Sequence, residues 1–341
     1  MKLLRAAGAV SVICAVGWLA SWQMSLLVRS RTSPPPKNRP YVPVLLTAEQ
    51  LRNLHVNEAG LVPVLMYHNI TKKERYLGRS VEHFRHDLDR LYSEGYRPVS
   101  ISEYISNRMD LPAGKSPVIL TFDDSRKSQF RYLKDESLDP DCAVAILNAF
   151  NEKHPDFRRR ATFFLLPRCA FRQAGYDVQK LRLLAGWGYE LGNHTVTHTN
   201  LKKLSNAGVQ KEVAGCTELI HKLVPEAVVD SLAFPGGRTP RNRALIAAGQ
   251  FNGFHYTNRT GFLAAEGPAP SPVSTKLTPM RIERIQACEG DTGVDYWLDF
   301  LKTERFPRYV SAGDPSMVTV PKRAASQVDR SRLRNCRFRQ Y

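Results

Sequence analysis

The chain has 341 residues, enough for one large domain or two small ones, and its 43% hydrophobic and 24% charged residues are ordinary for a soluble globular protein. The formal net charge of +17 is unusually high and indicates anionic surroundings, such as nucleic acid, anionic lipid or a charged envelope polymer. None of the six cysteines forms a CxxC pair, which argues against a zinc-ribbon or thioredoxin-type site.

The N-terminal residues 1–30 have the pattern of a segment that enters a membrane. Lys2 and Arg5 precede a mostly apolar stretch, residues 6–28, and a helix needs ~20 residues to cross a bilayer. The pattern predicts a signal anchor that makes the membrane a partner, with a cleaved signal peptide as the alternative. The proline-rich residues 31–58 are predicted to be an extended linker between membrane and domain.

From residue 59 to residue 321, strand-like apolar runs alternate with helical patterns, which predicts one α/β domain. Strands are predicted at 62–67, 116–122, 161–166, 189–193, 230–234 and 280–285. Helices are predicted near 81–94, 143–150, 206–224, 243–249 and 294–302, and another helix is predicted to end at glycine within 181–188. This alternation favours an α/β barrel. An open doubly wound sheet is the alternative, but the first strand is followed by "MYHNIT" and not by a glycine-rich phosphate turn.

The C-terminal residues 322–341 contain seven Lys or Arg and a single acid, Asp329. This pattern is typical of a disordered, solvated basic tail. The alternative is that the tail attaches the protein electrostatically to an anionic envelope polymer.

Polar residues follow four of the predicted strands. These strand ends carry His68, Asp123 with Asp124, His194 with His198, and the segment Pro235-Gly236-Gly237. In α/β barrels the carboxyl ends of the strands meet at one rim, where the chemistry takes place. The sequence therefore predicts one site built from these four segments.

The segment "HTVTH" (194–198) has metal-ligand spacing, because two histidines at i and i+4 share a face on a helical turn. The glutamate of HExxH zinc peptidases is absent, which disfavours that class. Two histidines and one aspartate make a three-ligand site with a position open for water, as in hydrolytic metal centres. The adjacent acids can then divide the work, one as ligand and the other as an ionised general base.

Three motifs in this order, "TFDD" (121–124), "HTVTH" (194–198) and "FPGG" (234–237), resemble the NodB-homology polysaccharide deacetylases, carbohydrate esterase family 4. The resemblance covers residues 60–320. It is closest to the branch that opens with a "VPVLMYH"-like strand and includes bacterial poly-N-acetylglucosamine deacetylases. The resemblance implies a distorted (β/α) barrel of the NodB-homology type.

The resemblance also implies roles for individual residues. Asp123 would be the general base, and the segment with Pro235 and Gly236 would help to form the oxyanion hole. A divalent metal, most often zinc, with cobalt, nickel or manganese as alternatives, would have three ligands: Asp124, His194 and His198. Family members remove acetyl groups from N-acetylglucosamine residues of polysaccharides, and some cleave acetyl esters. An N-acetylated polysaccharide is therefore the expected substrate, with an O-acetyl esterase and a carbohydrate-binding pseudoenzyme as alternatives.

Two departures from the family pattern leave open questions. The third motif usually carries an arginine that steers the base, but "LAFPGG" has none, and Arg281 or Arg284 would have to replace it. The late "LxH" histidine, which supplies the catalytic acid, is also missing. An early histidine takes this role in the permuted branch of the family, so His68 is the candidate, with His255 as a weaker one.

Two observations bear on the compartment. The sequons at Asn69 and Asn193 lie beside His68 and His194, where glycans would bury the site. Export in a bacterium is therefore expected, with the protein membrane-anchored or secreted outside the cytoplasm. Because the chain carries an export signal and no known binding motif, nucleic acid is not expected as a partner.

Overall fold

The structure is a computed structural model that describes residues 45–264, 267–290 and 292–341. The predicted signal anchor or signal peptide at residues 1–30 and the start of the predicted linker lie outside these residues. Within the described ranges, every helix is too short or too polar to cross a membrane.

Fourteen strands are present in the described residues. They are β1 Val64–Tyr67, β2 Asn69–Thr71, β3 Gly78–Ser80, β4 Tyr96–Pro98, β5 Ser116–Phe122, β6 Thr162–Leu165, β7 Glu190–Asn193, β8 Ser231–Ala233, β9 Ala248–Phe251, β10 Phe254–Thr257, β11 Thr260–Phe262, β12 Ile285–Gln286, β13 Met317–Val320 and β14 Arg337–Gln340. The α-helices of the same residues are α1 Ala48–Asn53, α2 Val81–Ser93, α3 Ile101–Ile105, α4 Ala143–Lys153, α5 Asp177–Gly186, α6 Asn206–Leu223, α7 Ala244–Ala247 and α8 Val294–Phe300.

A curled parallel sheet of eight strands forms the centre of the domain. Its order is β11-β8-β7-β6-β5-β1-β12, with β4 also paired to β5, and every pairing in it is parallel. Strand β5 is predominantly apolar because both of its faces are buried, with alternate residues packing into different hydrophobic clusters. Leu120 and Phe122 join one hydrophobic cluster, whereas Ile119 joins another.

The sheet forms a half-barrel and not a complete ring of eight βα units. Its strand order ends at β11 on one side and β12 on the other, although Phe262 bridges Ile282, just before β12. The predicted barrel is thus confirmed as a curled, mostly parallel sheet with helices, and full closure is not observed.

The helices form where the apolar stripe was predicted. In α2, Phe84, Leu88 and Leu91 are fully buried, and the Ser80 hydroxyl caps the helix by accepting the His83 N–H at 3.0 Å. In α6, Val213 and Ile220 are buried on the face that meets the sheet. These two helices match the predicted ranges within one residue.

Two predicted elements are shorter than expected. The helix predicted at 243–249 ends at Ala247, because residues 248–251 form β9 and pair antiparallel with β10. The turn between these strands is Asn252-Gly253, with φ angles of 49° and 79°, the signature of a tight hairpin. The strand predicted at 280–285 contributes only β12, Ile285–Gln286, to the sheet.

Folded structure extends beyond the predicted domain boundaries at both ends. Part of the predicted linker 31–58 is folded: α1 begins at a Thr47 capping box, and the buried Glu58 carboxylate accepts the N–H of Thr319 at 2.6 Å. Residues 322–341 are not a detached tail, because β14 pairs with β13 and the Tyr341 hydroxyl donates to the Val56 carbonyl at 2.7 Å. The prediction of a tail considered only the charges of this segment and overlooked its apolar residues, such as Leu333, which pack into a hydrophobic cluster.

Candidate active site

The two adjacent acids at the end of β5 point to different partners. Asp123 and Asp124 are 2% and 3% exposed. Asp124 and Ser125 have φ angles of 74° and 47°, so the chain turns sharply in the left-handed region at this point. The Ser125 hydroxyl fixes the turn by accepting the Leu166 N–H at 2.9 Å. Both carboxylates remain near one histidine, because His194 Nε2 lies 3.9 Å from Asp123 Oδ2 and 3.3 Å from Asp124 Oδ1.

Asp123 is held by Arg284, which is fully buried. Both terminal nitrogens of the guanidinium donate to the carboxylate, Nη1 to Oδ1 at 2.8 Å and Nη2 to Oδ2 at 2.7 Å. Its Nε donates to the Leu263 carbonyl at 2.7 Å and its Nη1 also to the Thr121 hydroxyl at 3.1 Å. This bidentate contact fixes the plane of the carboxylate.

The pKa of Asp123 is lowered. Burial by itself raises the pKa of this carboxyl, but the positive charge and hydrogen bonds of Arg284 outweigh burial, with His194 contributing in the same direction. Asp123 is therefore ionised at neutral pH and able to accept a proton.

The histidine segment is not a helical turn, contrary to the sequence-based prediction. Thr195 and His198 have φ angles of 68° and 59°, and residues 194–198 form an irregular loop. The loop is held by the buried Glu212 carboxylate, which accepts the N–H groups of Val196 and Thr197 at 3.0 and 2.9 Å. The i,i+4 spacing brings the two imidazoles together, but through a loop that α6 supports.

Asp124, His194 and His198 form a cluster whose ligand atoms all lie within 4.8 Å of one another. The Asp124 Oδ1 lies 3.3 Å from His194 Nε2 and 3.2 Å from His198 Nε2. Burial raises the pKa of Asp124, but the two neighbouring histidines lower it to a net value well below the ordinary range. Arg126 donates to the outer oxygen, Oδ2, at 3.0 and 2.6 Å.

The chemistry of this cluster fits a divalent cation. His194 Nδ1 lies 2.9 Å from the Ala233 carbonyl, which can only accept, so Nδ1 is the donor and Nε2 is the nitrogen left to face Asp124. The buried Asp124 Oδ1 has no hydrogen-bond partner among the described residues. A cation among these three ligand atoms would give the Asp124 oxygen a partner and use one nitrogen of each histidine.

His68 follows β1 and lies at the same rim. The Gln129 amide joins the two strand ends, because its Nε2 donates to the backbone carbonyls of His68 at 2.8 Å and of Asp123 at 2.6 Å. Burial lowers the pKa of His68 from 6.5, and the charges of Asp123 and Asp124 only partly oppose this effect. Its Nδ1 is buried and has no hydrogen-bond partner within the described part of the chain.

The segment Pro235–Gly237 continues from β8 toward the same centre, because the Ala233 carbonyl before it accepts the His194 hydrogen bond. Gly236 has a φ of 60° and its side-chain position faces open space. Gly237 has a φ of 69°, and a Cβ there would lie 2.9 Å from the Ala264 nitrogen. The Gly237 N–H is already bonded to the Phe234 carbonyl at 2.8 Å.

The structure separates the weaker candidates. Of the two arginines considered as the tether, Arg284 contacts Asp123, whereas Arg281 is exposed. His255 was expected to follow a late strand and reach the rim, but it lies exposed within β10, opposite Gln250 in the hairpin. The sequence analysis missed Arg126, Gln129 and Glu212. The roles of Gln129 and Glu212 are visible only from their contacts in the folded protein.

Comparisons with known proteins agree with the motifs. Residues 110–256 match the family model described as polysaccharide deacetylase, which confirms the resemblance to this family. Its members are hydrolases of amide bonds in polysaccharides, so the predicted family and enzyme class are confirmed.

Individual relatives are distant. A Bacillus subtilis protein named as a polysaccharide deacetylase, YxkH, is 20% identical over 233 residues, 68% of this chain and 73% of the relative. A chitooligosaccharide deacetylase of Bradyrhizobium is 27% identical over 125 residues, 37% of this chain and 48% of the relative. The structure of the Streptococcus pyogenes deacetylase PplD in complex with acetate superposes with a TM-score of 0.54 at 20% identity, covering 70% of this chain and 97% of PplD. This last likeness concerns the fold.

Proposed function

We propose that this protein removes N-acetyl groups from N-acetylglucosamine-type residues of an envelope or extracellular polysaccharide, in a metal-dependent reaction. The observation that carries the proposal is the pairing of an ionised carboxylate, Asp123, with an adjacent three-ligand cluster that includes Asp124. The reaction needs water, a base and an acid, and yields acetate and an amine.

The general base is Asp123. Arg284 keeps it ionised and oriented, so that it accepts the proton of the attacking water. The missing arginine of the third motif and the missing late histidine motivated a pseudoenzyme as an alternative. Arg284, just before β12, contacts the base, and this removes the first of these two reasons.

The metal would be held by Asp124, His194 and His198, with zinc the first candidate because two imidazoles and one carboxylate suit it. A bound divalent cation supplies Lewis-acid polarisation and acidifies water. The protein's own part is to fix its ligands: Ala233 sets the tautomer of His194, and Arg126 leaves only the inner oxygen of Asp124 for the cation.

The acid is His68, which would protonate the leaving nitrogen as the C–N bond breaks. The oxyanion is stabilised by the Gly236 N–H, since Pro235 has no N–H and the Gly237 N–H is already bonded within the turn. The left-handed φ of Gly236 and the open space beside it leave room for a substrate carbonyl.

Acetate release from N-acetylated oligosaccharides tests the function, with protein that has been stripped of metal and then restored with zinc, cobalt, nickel or manganese. We expect activity to disappear on stripping and to return with at least one metal. Acetate release that is unaffected by stripping would overturn metal dependence, and no release from any N-acetylated glycan would overturn the deacetylase. Faster release from O-acetylated xylan would favour the esterase.

We also propose that the protein acts outside the cytoplasm of a bacterium, where such polymers lie. The basic residues and apolar stretch at residues 1–30 support this location. Fractionation of cells that produce the full chain tests it.

A further inference from the structure

Two basic depressions border the catalytic cluster. The first, a cavity of 290 Å³, lies beside Gly237 and contains five basic side chains: Lys202, Arg238, Arg241, Arg243 and Arg281. No acidic residue lines it among those that the structure describes. None of the five basic residues forms a salt bridge with another described residue, so their charges are not neutralised within the described part of the protein.

The second depression, of 690 Å³, lies at the end of β1 and β5 and includes Asn69 and Arg126. Seven basic residues and two acids line it. Both acids have partners of their own: Glu74 lies 3.1 Å from buried Arg79, and Asp141 lies 3.5 Å from Arg85. Five of the basic residues have no salt bridge to a described residue: Lys72, Lys73, Arg75, Lys127 and Arg172.

The strand order places these depressions on either side of the reacting centre. The first follows β8 and the second follows β1 and β5, while the two histidines follow β7, between β8 and β5 in the sheet. Each depression includes a residue that neighbours a proposed site residue. Gly237 belongs to the turn beside the oxyanion donor, and Arg126 bonds to Asp124. A polysaccharide bound across the proposed active site would therefore meet positive charge on both sides of the sugar unit that reacts.

Resting on the proposed function, we infer that the substrate is an anionic glycan, with phosphate or carboxylate groups on both sides of the acetylated unit. Concave walls lined by one sign of charge raise the local concentration of ligands of the opposite sign. Arginines also bind phosphate and carboxylate through two parallel hydrogen bonds. A neutral chitin-like chain would leave these cations without partners.

The test compares kcat/KM and direct binding for three oligosaccharides of equal length: neutral N-acetylglucosamine, N-acetylglucosamine alternating with glucuronate, and N-acetylglucosamine joined by phosphodiesters. We expect an anionic substrate to have the lower KM and the higher affinity. That KM should rise as ionic strength increases from ~0.01 M to ~0.15 M, where screening shortens from ~30 Å to ~8 Å. The neutral substrate should show little change. Comparison of the two anionic substrates identifies phosphate or carboxylate as the group recognised.

Paired variants locate the effect. Arg241→Gln with Arg243→Gln in the first depression, and Lys72→Gln with Lys73→Gln in the second, should each reduce the preference for the anionic over the neutral substrate by roughly 3–30-fold. The matched control, Arg108→Gln with Lys153→Gln, removes the same charge from exposed positions before β5 and β6. This control should leave the preference unchanged.

The outcomes separate this inference from the proposed function. Efficient deacetylation of the neutral oligosaccharide, without salt dependence or preference for charge, would overturn the anionic substrate and leave the deacetylase intact. An equal effect of the control pair would show that net charge alone acts. If vesicles with anionic headgroups compete for these residues and anionic glycans do not, the depressions face a membrane surface and the inference fails.

Discussion

Replacing Arg284 should inactivate the enzyme without removing its metal site. The guanidinium makes two hydrogen bonds to Asp123, at 2.8 and 2.7 Å, and none to the described metal-ligand candidates Asp124, His194 and His198. In Arg284→Met, the carboxylate keeps its burial and loses the charge that opposes it. The pKa of Asp123 should therefore rise, and the acid limb of kcat/KM should move to higher pH.

The magnitude follows from the burial of both partners. Removing one member of a buried ion pair typically costs about 3–5 kcal/mol of folding free energy, because the other charge is left unpaired. Losing an oriented, ionised base should lower kcat by roughly 10²–10⁴-fold. Arg284→Lys should keep part of the charge effect on the pKa of Asp123 but lose the bidentate orientation, so its kcat should lie between those of Arg284→Met and the wild type.

The assay combines acetate release over a pH series, metal analysis of the purified protein and thermal unfolding. The matched control is Arg79→Met, because Arg79 also pairs with a buried carboxylate, donating to Asp87 at 3.0 and 2.6 Å. This control should lose comparable stability and retain kcat per folded molecule. The double variant Asp123→Asn/Arg284→Met should regain stability but not activity, since no buried charge is then left unpaired.

The reasoning would be refuted by an Arg284→Met enzyme with wild-type kcat and an unshifted acid limb. Loss of activity together with loss of metal would instead assign Arg284 to support of the ligand cluster. Equal losses of kcat in the Arg79→Met control would show that general destabilisation, and not the base, explains the result.

Four further predictions follow from other parts of the structure. His194→Ala should hold much less than the roughly one divalent cation per chain expected of a closed ligand set, and equal metal content in both proteins would contradict the site. His68→Gln should lose roughly 10²–10⁴-fold on the amide but less on an activated acetyl ester, whose leaving group needs no proton; its pH profile should also lack the fall above the lowered pKa of His68. Burial raises the pKa of Glu58 from 4.5 to about 7, so its contribution to folding stability should fall as pH rises through this interval, and Glu58→Gln should show a smaller fall in thermal unfolding measurements. Deleting residues 322–341 should lower the unfolding temperature, because β14 and the Tyr341 contact are lost; unchanged stability would contradict their packing.

Local sequence patterns were sufficient to predict most of the helices and strands and to identify Asp123, Asp124, His194 and His198 as candidate site residues. The continuous apolar run of β5 and the helical stripe of α2 are set by periodicity, which the printed residues display directly. Asp123, Asp124 and the two histidines are recognisable because each motif lies within a few residues. The spacing of the two histidines nevertheless suggested a helical turn. The left-handed backbone conformations within the loop at 194–198 could not be recognised from the sequence.

The tertiary structure decided the contacts between residues far apart in the chain. Arg284 lies 161 residues from Asp123, and nothing in "MRIERI" distinguishes it from Arg281 until the fold buries one and exposes the other. Glu212 and Gln129 acquire their roles in the same way. The C-terminal segment joins the domain only because β13 is available to pair with it. Sequence periodicity records which side of an element is buried, whereas the partner that a buried charge meets depends on how distant strands are brought together.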